Sequence, residues 1–167
     1  MTESVPALDL RVATLADLEA VWEIETSVFG ADAWSREMMR EELAADHRTY
    51  LVLIANGGEI VGYGGLLAVG TEADIQTIAV DPSFRGTGQG RRLMTALIDD
   101  AMERGVREVF LEVRADNPVA QRLYASLGFA DIGVRPRYYQ PDNVDAVIMR
   151  LDTRSRAALA PGTEGER

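Results

Sequence analysis

The chain has 167 residues and the composition of an ordinary globular domain, with 47% hydrophobic and 26% charged residues. A formal net charge of -10 argues against general nucleic-acid binding, which needs a basic surface, and favours cationic peptides or amines as partners. Because the chain has no cysteine, disulfides, thiolate metal sites and a cysteine nucleophile are excluded. No apolar run approaches the roughly 20 residues of a membrane-spanning helix, so we expect one cytoplasmic domain without membrane contact.

The first third of the sequence predicts a strand and two helices. After a short strand at 10–13, Thr14 is a candidate N-cap for a helix over about 15–28, and a second helix follows over about 35–45. Both helices are predicted to be acidic on their outer face. Two interpretations of this face remain open: a solvated surface, or a rim that attracts a basic substrate. The residues concerned are Glu19, Glu23, Glu25, Glu37, Glu41 and Glu42.

The middle of the sequence predicts an antiparallel meander that leads into a strand–loop–helix unit. Strands at 50–55 and 59–69 flank Asn56-Gly57-Gly58, which is a hairpin signal because Asn and Gly accept positive φ angles. A third strand at 73–80 runs into a glycine-rich loop, and a helix with one apolar stripe begins near Gly88.

The last third predicts a buried strand, a helix and two closing strands. Residues 106–113 are apolar almost throughout, as in a central strand that is buried on both faces. Asn117 and Pro118 provide the N-cap and first turn of a helix, and strands at 129–134 and 144–151 follow. The order β-α-α-β-β-β-α-β-α-β-β predicts a mixed α/β domain with one continuous sheet.

The glycine-rich loop predicts an anion site. Glycines strip side chains from the turn, so that backbone N–H groups at the positive end of the following helix can approach a phosphate. A Walker A loop is excluded because the chain has no lysine, and the dinucleotide fingerprint would require glycine at the position of Arg91. The loop combines three glycines with three arginines: Gly86, Gly88, Gly90, Arg85, Arg91 and Arg92.

Two residues are candidates for proton transfer. Glu112 is the polar member of a predicted buried strand, where a carboxylate would hold its proton more tightly and suit a general base for an amine. The alternative is a structural ion pair with Arg114 or another arginine. Tyr124 lies two helical turns after Asn117, on about the same helix face, and its alternative is an aromatic core residue. His47, the only histidine, is expected at the surface, and no cluster of histidine with carboxylates predicts a metal site.

The sequence resembles the GNAT (Gcn5-related) N-acetyltransferase superfamily. The stretch Arg85-x-x-Gly88-x-Gly90, after a strand ending in Ile78-Ala79-Val80, is similar to that superfamily's acetyl-CoA pyrophosphate motif, usually written Gln/Arg-x-x-Gly-x-Gly/Ala. Longer segments over about residues 10–151 resemble the RimI-type ribosomal-protein alanine N-acetyltransferases. They are Trp34-Ser35, Leu111-Glu112-Val113-Arg114-Ala115-x-Asn117, Leu123-Tyr124-x-Ser126-Leu127-Gly128-Phe129, Arg135-x-x-Tyr138-Tyr139 and Asp145-Ala146-x-Ile148-Met149.

The resemblance implies a fold with a single, mostly antiparallel sheet of about seven strands, splayed in the middle, and about four helices. We expect residues 10–152 to form this N-acetyltransferase domain, after a flexible N-terminus at 1–9 and before a disordered tail at 153–167. The implied activity is direct acetyl transfer in a ternary complex, from acetyl-CoA to the N-terminal α-amine of a small-subunit ribosomal protein, preferably an alanine. Other N-termini, lysines or small amines remain open as acceptors, as does a non-catalytic acyl-CoA-binding module.

The resemblance also implies roles for individual residues. Glu112 would act as base, and Tyr124 as proton donor to the departing CoA thiolate. The acceptor slot would be formed by Trp34, Tyr138 and Tyr139. Pro136-Arg137 stands where the enterobacterial form has Arg-Asn, so the slot differs in its fine shape. The expected partner is a basic N-terminal peptide, without nucleic acid, membrane or metal, and a monomer is compatible with these expectations. Acetyl-CoA would contact Ile78, Ala79, Val80, Arg85, Gly86, Thr87, Gly88, Gln89, Gly90, Arg91 and Asn117.

Overall fold

The computed structural model describes residues 8–159, with side chains over 8–156. The predicted order of elements is confirmed, and one further helix follows the last strand. The strands and helices are β1 Asp9–Val12, α1 Leu18–Phe29, α2 Arg36–Ala44, β2 Arg48–Ile54, β3 Ile60–Val69, β4 Glu72–Val80, α3 Gln89–Glu103, β5 Glu108–Arg114, α4 Pro118–Ser126, β6 Ala130–Tyr139, β7 Val144–Asp152 and α5 Thr153–Leu159.

Seven strands form one mixed sheet in the order β1-β2-β3-β4-β5-β7-β6, and the prediction of one sheet of about seven strands is confirmed. The pairings of β1 with β2, β2 with β3, β5 with β7 and β6 with β7 are antiparallel. Strand β4 pairs with β5 in parallel, where Glu72–Asp74 lie beside Glu108–Phe110. The backbone groups into two compact units. Within the described residues, the first unit holds 8–67 and 76–98 and the second holds 68–75 and 99–159.

Local sequence signals account for several element boundaries of the first unit. Ser35 is the N-cap of α2, because its hydroxyl accepts a hydrogen bond from the Met38 N–H at 3.1 Å. Thr14 precedes a short 3₁₀ turn rather than α1 directly, and its N–H donates to Asp17 at 2.8 Å. In the β2–β3 hairpin, Gly57 adopts a φ of 96°, as the predicted turn requires.

The core of the first unit lies between its two helices and its strands. Apolar residues at helical spacing on α1, namely Leu18, Val21 and Ile24, pack with Met39 of α2. Tyr50 of β2 completes the packing against β3. Its ring occupies the space beside Gly65, where a Cβ atom would lie 2.2 Å from the Tyr50 Cε2 atom. Glycine at this position therefore allows a large aromatic ring to lie flat on the sheet.

The second unit is built on β5, whose exposure differs from the prediction. Val109, Leu111 and Val113 are buried, whereas the alternate residues are half-buried. Strand β5 is therefore shielded on one face only, and the prediction of burial on both faces is wrong. The period-2 geometry of a strand places Glu112 on the more open face.

Two predicted boundaries in the second unit are also wrong. Strand β6 continues to Tyr139 instead of ending at 134, because pairing with β7 resumes where Tyr139 lies opposite Val144. The tail predicted to be disordered from residue 153 begins with helix α5. Thr153 anchors that helix, since its hydroxyl donates to the Val106 carbonyl at 3.0 Å. The remaining tail at 160–167 and the predicted flexible start at 1–7 lie outside the described residues.

The helices of the structure were compared with the length and hydrophobicity that a lipid bilayer requires. Across residues 8–159, no helix is both long and apolar enough to cross a membrane.

Candidate active site

The predicted anion loop follows the end of β4 in the first unit. Asp81 opens a short turn, and its carboxylate accepts hydrogen bonds from the Ser83 N–H at 2.9 Å and the Ser83 hydroxyl at 2.7 Å. These bonds lower the pKa of Asp81. On the far side, the Thr87 hydroxyl donates to the Phe84 carbonyl at 2.6 Å. The loop is thus held by its own short-range hydrogen bonds before any ligand binds.

The glycines of the loop leave its surface open. Gly86 and Gly88 adopt φ angles of 77° and 83°, which other residues rarely adopt, and a Cβ atom at either position would meet no atom within 4 Å. The need for glycine is therefore conformational rather than steric. The first turn of α3 begins at Gln89, so the positive end of a 15-residue helix faces this loop. This arrangement fits the pyrophosphate of an acyl-CoA.

Two side chains of the loop support the same fit. The Arg85 Nε atom donates to the Val80 carbonyl at 3.3 Å, which fixes its guanidinium group beside the end of β4. The Gln89 Oε1 atom is buried and has no hydrogen-bond partner among the described residues. Such an acceptor suits a ligand that carries N–H donors, and CoA carries amide and amino groups. Contacts of the other predicted cofactor residues with acetyl-CoA stay a prediction.

Trp34 is the residue of the first unit that is predicted to line the slot for the acceptor peptide, and it lies in the segment between α1 and α2. Its N–H donates to the Glu25 Oε2 atom at 2.9 Å, and its carbonyl accepts from the Trp22 Nε1 atom at 3.2 Å. The Glu25 Oε1 atom accepts from the Tyr63 hydroxyl and, at 3.3 Å, from the Thr77 hydroxyl. The main chain of Trp34 is therefore held on both its donor and its acceptor side.

The prediction of an acidic outer face is wrong at Glu25. This residue is only 2% exposed, and burial raises the pKa of its carboxyl group. The signal was present in the sequence, because Glu25 lies four residues after Val21 and seven after Leu18, on the apolar stripe of α1. Glu42 is also shielded, since its carboxylate accepts from the Tyr50 hydroxyl at 2.8 Å. The solvated-face interpretation therefore fails for these two glutamates.

In the second unit, Glu112 forms an ion pair with Arg135 of β6. The Glu112 side chain is 28% exposed, so the predicted deep burial is wrong and the ion-pair alternative is observed. The partner is not Arg114, whose guanidinium group instead contacts Asp116 at 3.0 Å and Asp142 at 3.2 Å. Arg135 lies 23 positions further along the chain, and only the pairing order of the strands reveals it. Glu112 thus keeps part of its side chain open to solvent.

Tyr138, which is predicted to line the acceptor slot, lies next to Glu112. Burial raises the pKa of Tyr138, and so do the charge and a hydrogen bond of Glu112. The guanidinium carbon of Arg135 lies 5.8 Å from the centroid of the Tyr138 ring. Tyr138 and Tyr139 pack edge to face with centroids 5.1 Å apart. The second unit therefore brings a candidate base, a cation and an aromatic pair together.

Tyr124 and Asn117 are both placed by α4. The Asn117 side chain caps the helix by accepting from the Ala120 N–H at 3.2 Å. Tyr124 is 8% exposed and packs against Phe129 with ring centroids 6.1 Å apart. Burial raises the pKa of Tyr124 to about 12. The Tyr124 ring is thus packed in the core, as the alternative interpretation predicted. Its hydroxyl stays protonated at neutral pH.

The described residues offer no group of three or more histidine, aspartate or glutamate side chains that could hold a metal ion. His47 is exposed, as the sequence predicts.

Comparison with known proteins identifies relatives over most of the chain. A family model described as Acetyltransferase (GNAT) family matches residues 18–129. The N-alpha-acetyltransferase RimI of Mycobacterium tuberculosis is 40% identical over 158 residues, which cover 92% of this chain and 98% of that protein. The ribosomal protein bS18-alanine N-acetyltransferase of Salmonella typhimurium is 36% identical over 145 residues, which cover 85% and 95%. The crystal structure of the ribosomal-protein-S18-alanine N-acetyltransferase from Escherichia coli has a TM-score of 0.81 at 34% identity, and it covers 87% of this chain and 94% of that chain.

Proposed function

This chain belongs to the GNAT acetyltransferase family as an N-alpha-acetyltransferase of RimI type, and we propose that its acceptor is the N-terminal alanine of ribosomal protein bS18. The observation that carries the proposal is the similarity of most of the chain to an N-alpha-acetyltransferase RimI, at 40% identity, and to a ribosomal protein bS18-alanine N-acetyltransferase, at 36%. The net charge of -10 supports a basic N-terminal peptide as the partner. A cytoplasmic location and a reaction without metal belong to the same proposal.

Acetyl-CoA supplies the acetyl thioester when it is bound. The open glycines Gly86 and Gly88, with the first turn of α3, would hold its pyrophosphate through backbone N–H groups. Arg85 would add positive charge, and the strand residues 78–80 would bind the pantetheine arm through their backbone. The Gln89 Oε1 atom would accept one of the N–H donors of the cofactor.

Glu112 would remove the proton from the α-ammonium group of the acceptor. Its position on the more open face of β5 leaves the carboxylate reachable from solvent. Arg135 would orient that carboxylate through their ion pair. Once the amine has lost its proton, its lone pair can attack the thioester carbonyl directly, and the absence of cysteine fits a mechanism without an acyl-enzyme.

Tyr124 would give its hydroxyl proton to the sulfur atom of the leaving thiolate. Burial keeps that hydroxyl protonated, with a pKa of about 12. The ring is fixed by its edge contact with Phe129, so its hydroxyl points in one direction. As the carbon–sulfur bond breaks, the attacking nitrogen would release its second proton to solvent. The phenol would recover a proton from solvent after the products leave, and Glu112 would release the one that it took.

The acceptor preference can be tested with peptides that differ only in their first residue. We expect acetylation of a basic peptide that begins with alanine, slower acetylation of matched peptides that begin with bulky residues, and none when the α-amine is blocked. Mass spectrometry of the products, with acetyl-CoA as donor, measures each rate. Rapid acetylation of the blocked peptide on an internal lysine, or of a free polyamine, would contradict the proposed acceptor.

A further inference from the structure

Glu25 is a buried carboxylate to which the proposed reaction assigns no task. It is 2% exposed, and the three groups that donate to it are uncharged: the Trp34 N–H, the Tyr63 hydroxyl and the Thr77 hydroxyl. An ionised carboxylate is costly to bury, and neutral donors compensate for it only when several converge. A leucine at this site of the apolar stripe would pack without that cost. The cost of burying the Glu25 carboxylate is therefore offset only by its hydrogen bonds to the groups that donate to it.

The two oxygen atoms of Glu25 hold different parts of the first unit. The Oε2 atom binds the main chain of the segment between α1 and α2 at Trp34, 2.9 Å away. The Oε1 atom binds side chains of two strands, Tyr63 of β3 and Thr77 of β4. Thr77 directly precedes the strand residues predicted to bind the donor. One rigid group thus ties the acceptor segment to the sheet.

Trp34 is held from its other side as well. The Trp22 indole N–H donates to the Trp34 carbonyl at 3.2 Å, and Trp22 lies on α1, nearly one helical turn before Glu25. Two side chains of one helix therefore bind both main-chain groups of a single residue. The positions of the Trp34 N–H and carbonyl groups are therefore both fixed by α1.

We propose that Glu25 is a positioning residue that fixes the Trp34 segment in the shape that receives the acceptor peptide. This inference rests on the proposed function, since that function makes Trp34 part of the acceptor slot. Glu25 does not touch the reacting atoms. Its loss should therefore weaken peptide binding and leave the chemistry and the donor site largely intact.

Two substitutions separate the Trp34 contact from the charge. Glu25→Met keeps the side-chain length but leaves the Trp34 N–H without its acceptor, and we expect the KM for the peptide to rise about tenfold. Glu25→Gln can still accept from Trp34 with its carbonyl, while its amide donates to the two hydroxyls, which can rotate. For Glu25→Gln we expect a peptide KM within about threefold of wild type. The KM for acetyl-CoA and kcat should stay close to wild type in both.

Glu42 offers a matched control in the same unit. It also accepts from a buried tyrosine hydroxyl, that of Tyr50 at 2.8 Å, but it does not bind the Trp34 segment. Glu42→Met should therefore leave the peptide KM unchanged. If Glu25→Met does not fold, Glu25→Asp replaces it. Aspartate keeps the charge, is shorter by one methylene group and should also raise the peptide KM.

Intrinsic fluorescence gives a readout that is independent of turnover. The chain has two tryptophans, Trp22 and Trp34, and both belong to this contact network. We expect acrylamide to quench Glu25→Met more strongly than wild type, and Glu42→Met no more than wild type. Equal quenching and equal peptide KM in the two Met variants would overturn the inference. A peptide KM raised as much by Glu25→Gln as by Glu25→Met would also overturn it.

The proposed function fails separately. If the wild-type enzyme acetylates no peptide, the acceptor assignment is wrong, while the quenching comparison still tests whether Glu25 fixes Trp34. If wild type acetylates the peptide and both Met variants match it in KM and quenching, only the role of Glu25 is wrong.

Discussion

Each of the two units contains one glutamate with a proposed role, and the surroundings of the two side chains are opposite in burial and charge. Glu25 of the first unit is buried among uncharged donors. Glu112 of the second unit is partly exposed and paired with a cation, Arg135. Burial raises the pKa of Glu25 and fixes its geometry. The Glu112 side chain, at 28% exposure, remains open to solvent.

This contrast is the reason why we propose Glu112 rather than Glu25 as the base. A general base must be reached by the group that gives up its proton, and the Glu112 side chain on the half-buried face of β5 is 28% exposed. A positioning group needs converging donors and no solvent, and the core around α1 supplies those. Depth of burial alone would have pointed to Glu25 instead.

The largest expected effect comes from removing the base of the second unit. Glu112→Gln keeps the shape of the side chain but cannot accept a proton, so kcat should fall by about 10² to 10⁴. The free energy of unfolding should change by less than about 1 kcal/mol, because the ion pair is partly exposed. Steady-state kinetics and urea denaturation measure the two quantities. A wild-type rate in this variant would remove Glu112 as the base.

Tyr124→Phe should have the next largest effect. The ring contact with Phe129 is kept, while the donor to the leaving thiolate is lost, so kcat should fall about 10²-fold. The Kd for acetyl-CoA, measured by calorimetry, should not change. Since the pKa of Tyr124 is about 12, the wild-type phenol stays protonated over pH 6 to 9 and should add no pH dependence there. Full activity of the variant would mean that another group protonates the sulfur.

A substitution in the anion loop of the first unit should affect donor binding alone. Gly88→Ala places a Cβ atom at a φ of 83°, a strain of roughly 1 kcal/mol that shifts the loop. Loss of one N–H contact to a phosphate should raise the KM for acetyl-CoA about tenfold. Gly57→Ala, at a φ of 96° in the β2–β3 turn, introduces the same strain elsewhere. An equal change of KM in both variants would show a general loss of stability rather than a donor site.

The smallest effect is expected at a carboxylate that serves the fold alone. Asp17 accepts hydrogen bonds from Arg11 at 2.8 Å and from the Thr14 N–H at 2.8 Å, and the Arg11 contact lowers its pKa below the ordinary 3.8. Its contribution to stability is present above that value and is lost as the pH falls through the lower folded-state value. Asp17→Asn should lower the free energy of unfolding by about 1 kcal/mol at pH 7 and by less at pH 3.

Asp17→Asn should change stability without changing activity, so its kcat and both KM values should equal those of wild type. Thermal or urea unfolding at pH 7 and pH 3 measures the loss of stability. A loss of stability that is equal at pH 3 and pH 7 would contradict the assigned ionic contribution.

Features encoded by neighbouring residues were predicted from the sequence. The N-cap Asn117, the Gly57 turn and the glycine loop depend on backbone chemistry within a few residues, and each is found as expected. The element order followed from the same local patterns. The motif residues of the candidate site could be placed on elements for that reason.

Features that depend on distant partners were not predicted. Arg135 reaches Glu112 only because β6 and β5 both pair with β7. Helix α5 begins where Thr153 contacts Val106 and Arg107, far away in sequence. The burial of Glu25 was encoded in the stripe of α1, yet its charge suggested the surface. A polar residue at an apolar position is thus a signal for a built contact.

We propose that the enzyme acetylates an α-amine, and one peptide can distinguish this from acetylation of a lysine side chain. The peptide begins with alanine, contains one internal lysine and is incubated with acetyl-CoA until one acetyl group is added. Fragmentation by mass spectrometry then locates that group. We expect the acetyl group on the alanine Nα atom, with the lysine unmodified. Acetylation of the lysine with a free alanine N-terminus would contradict it.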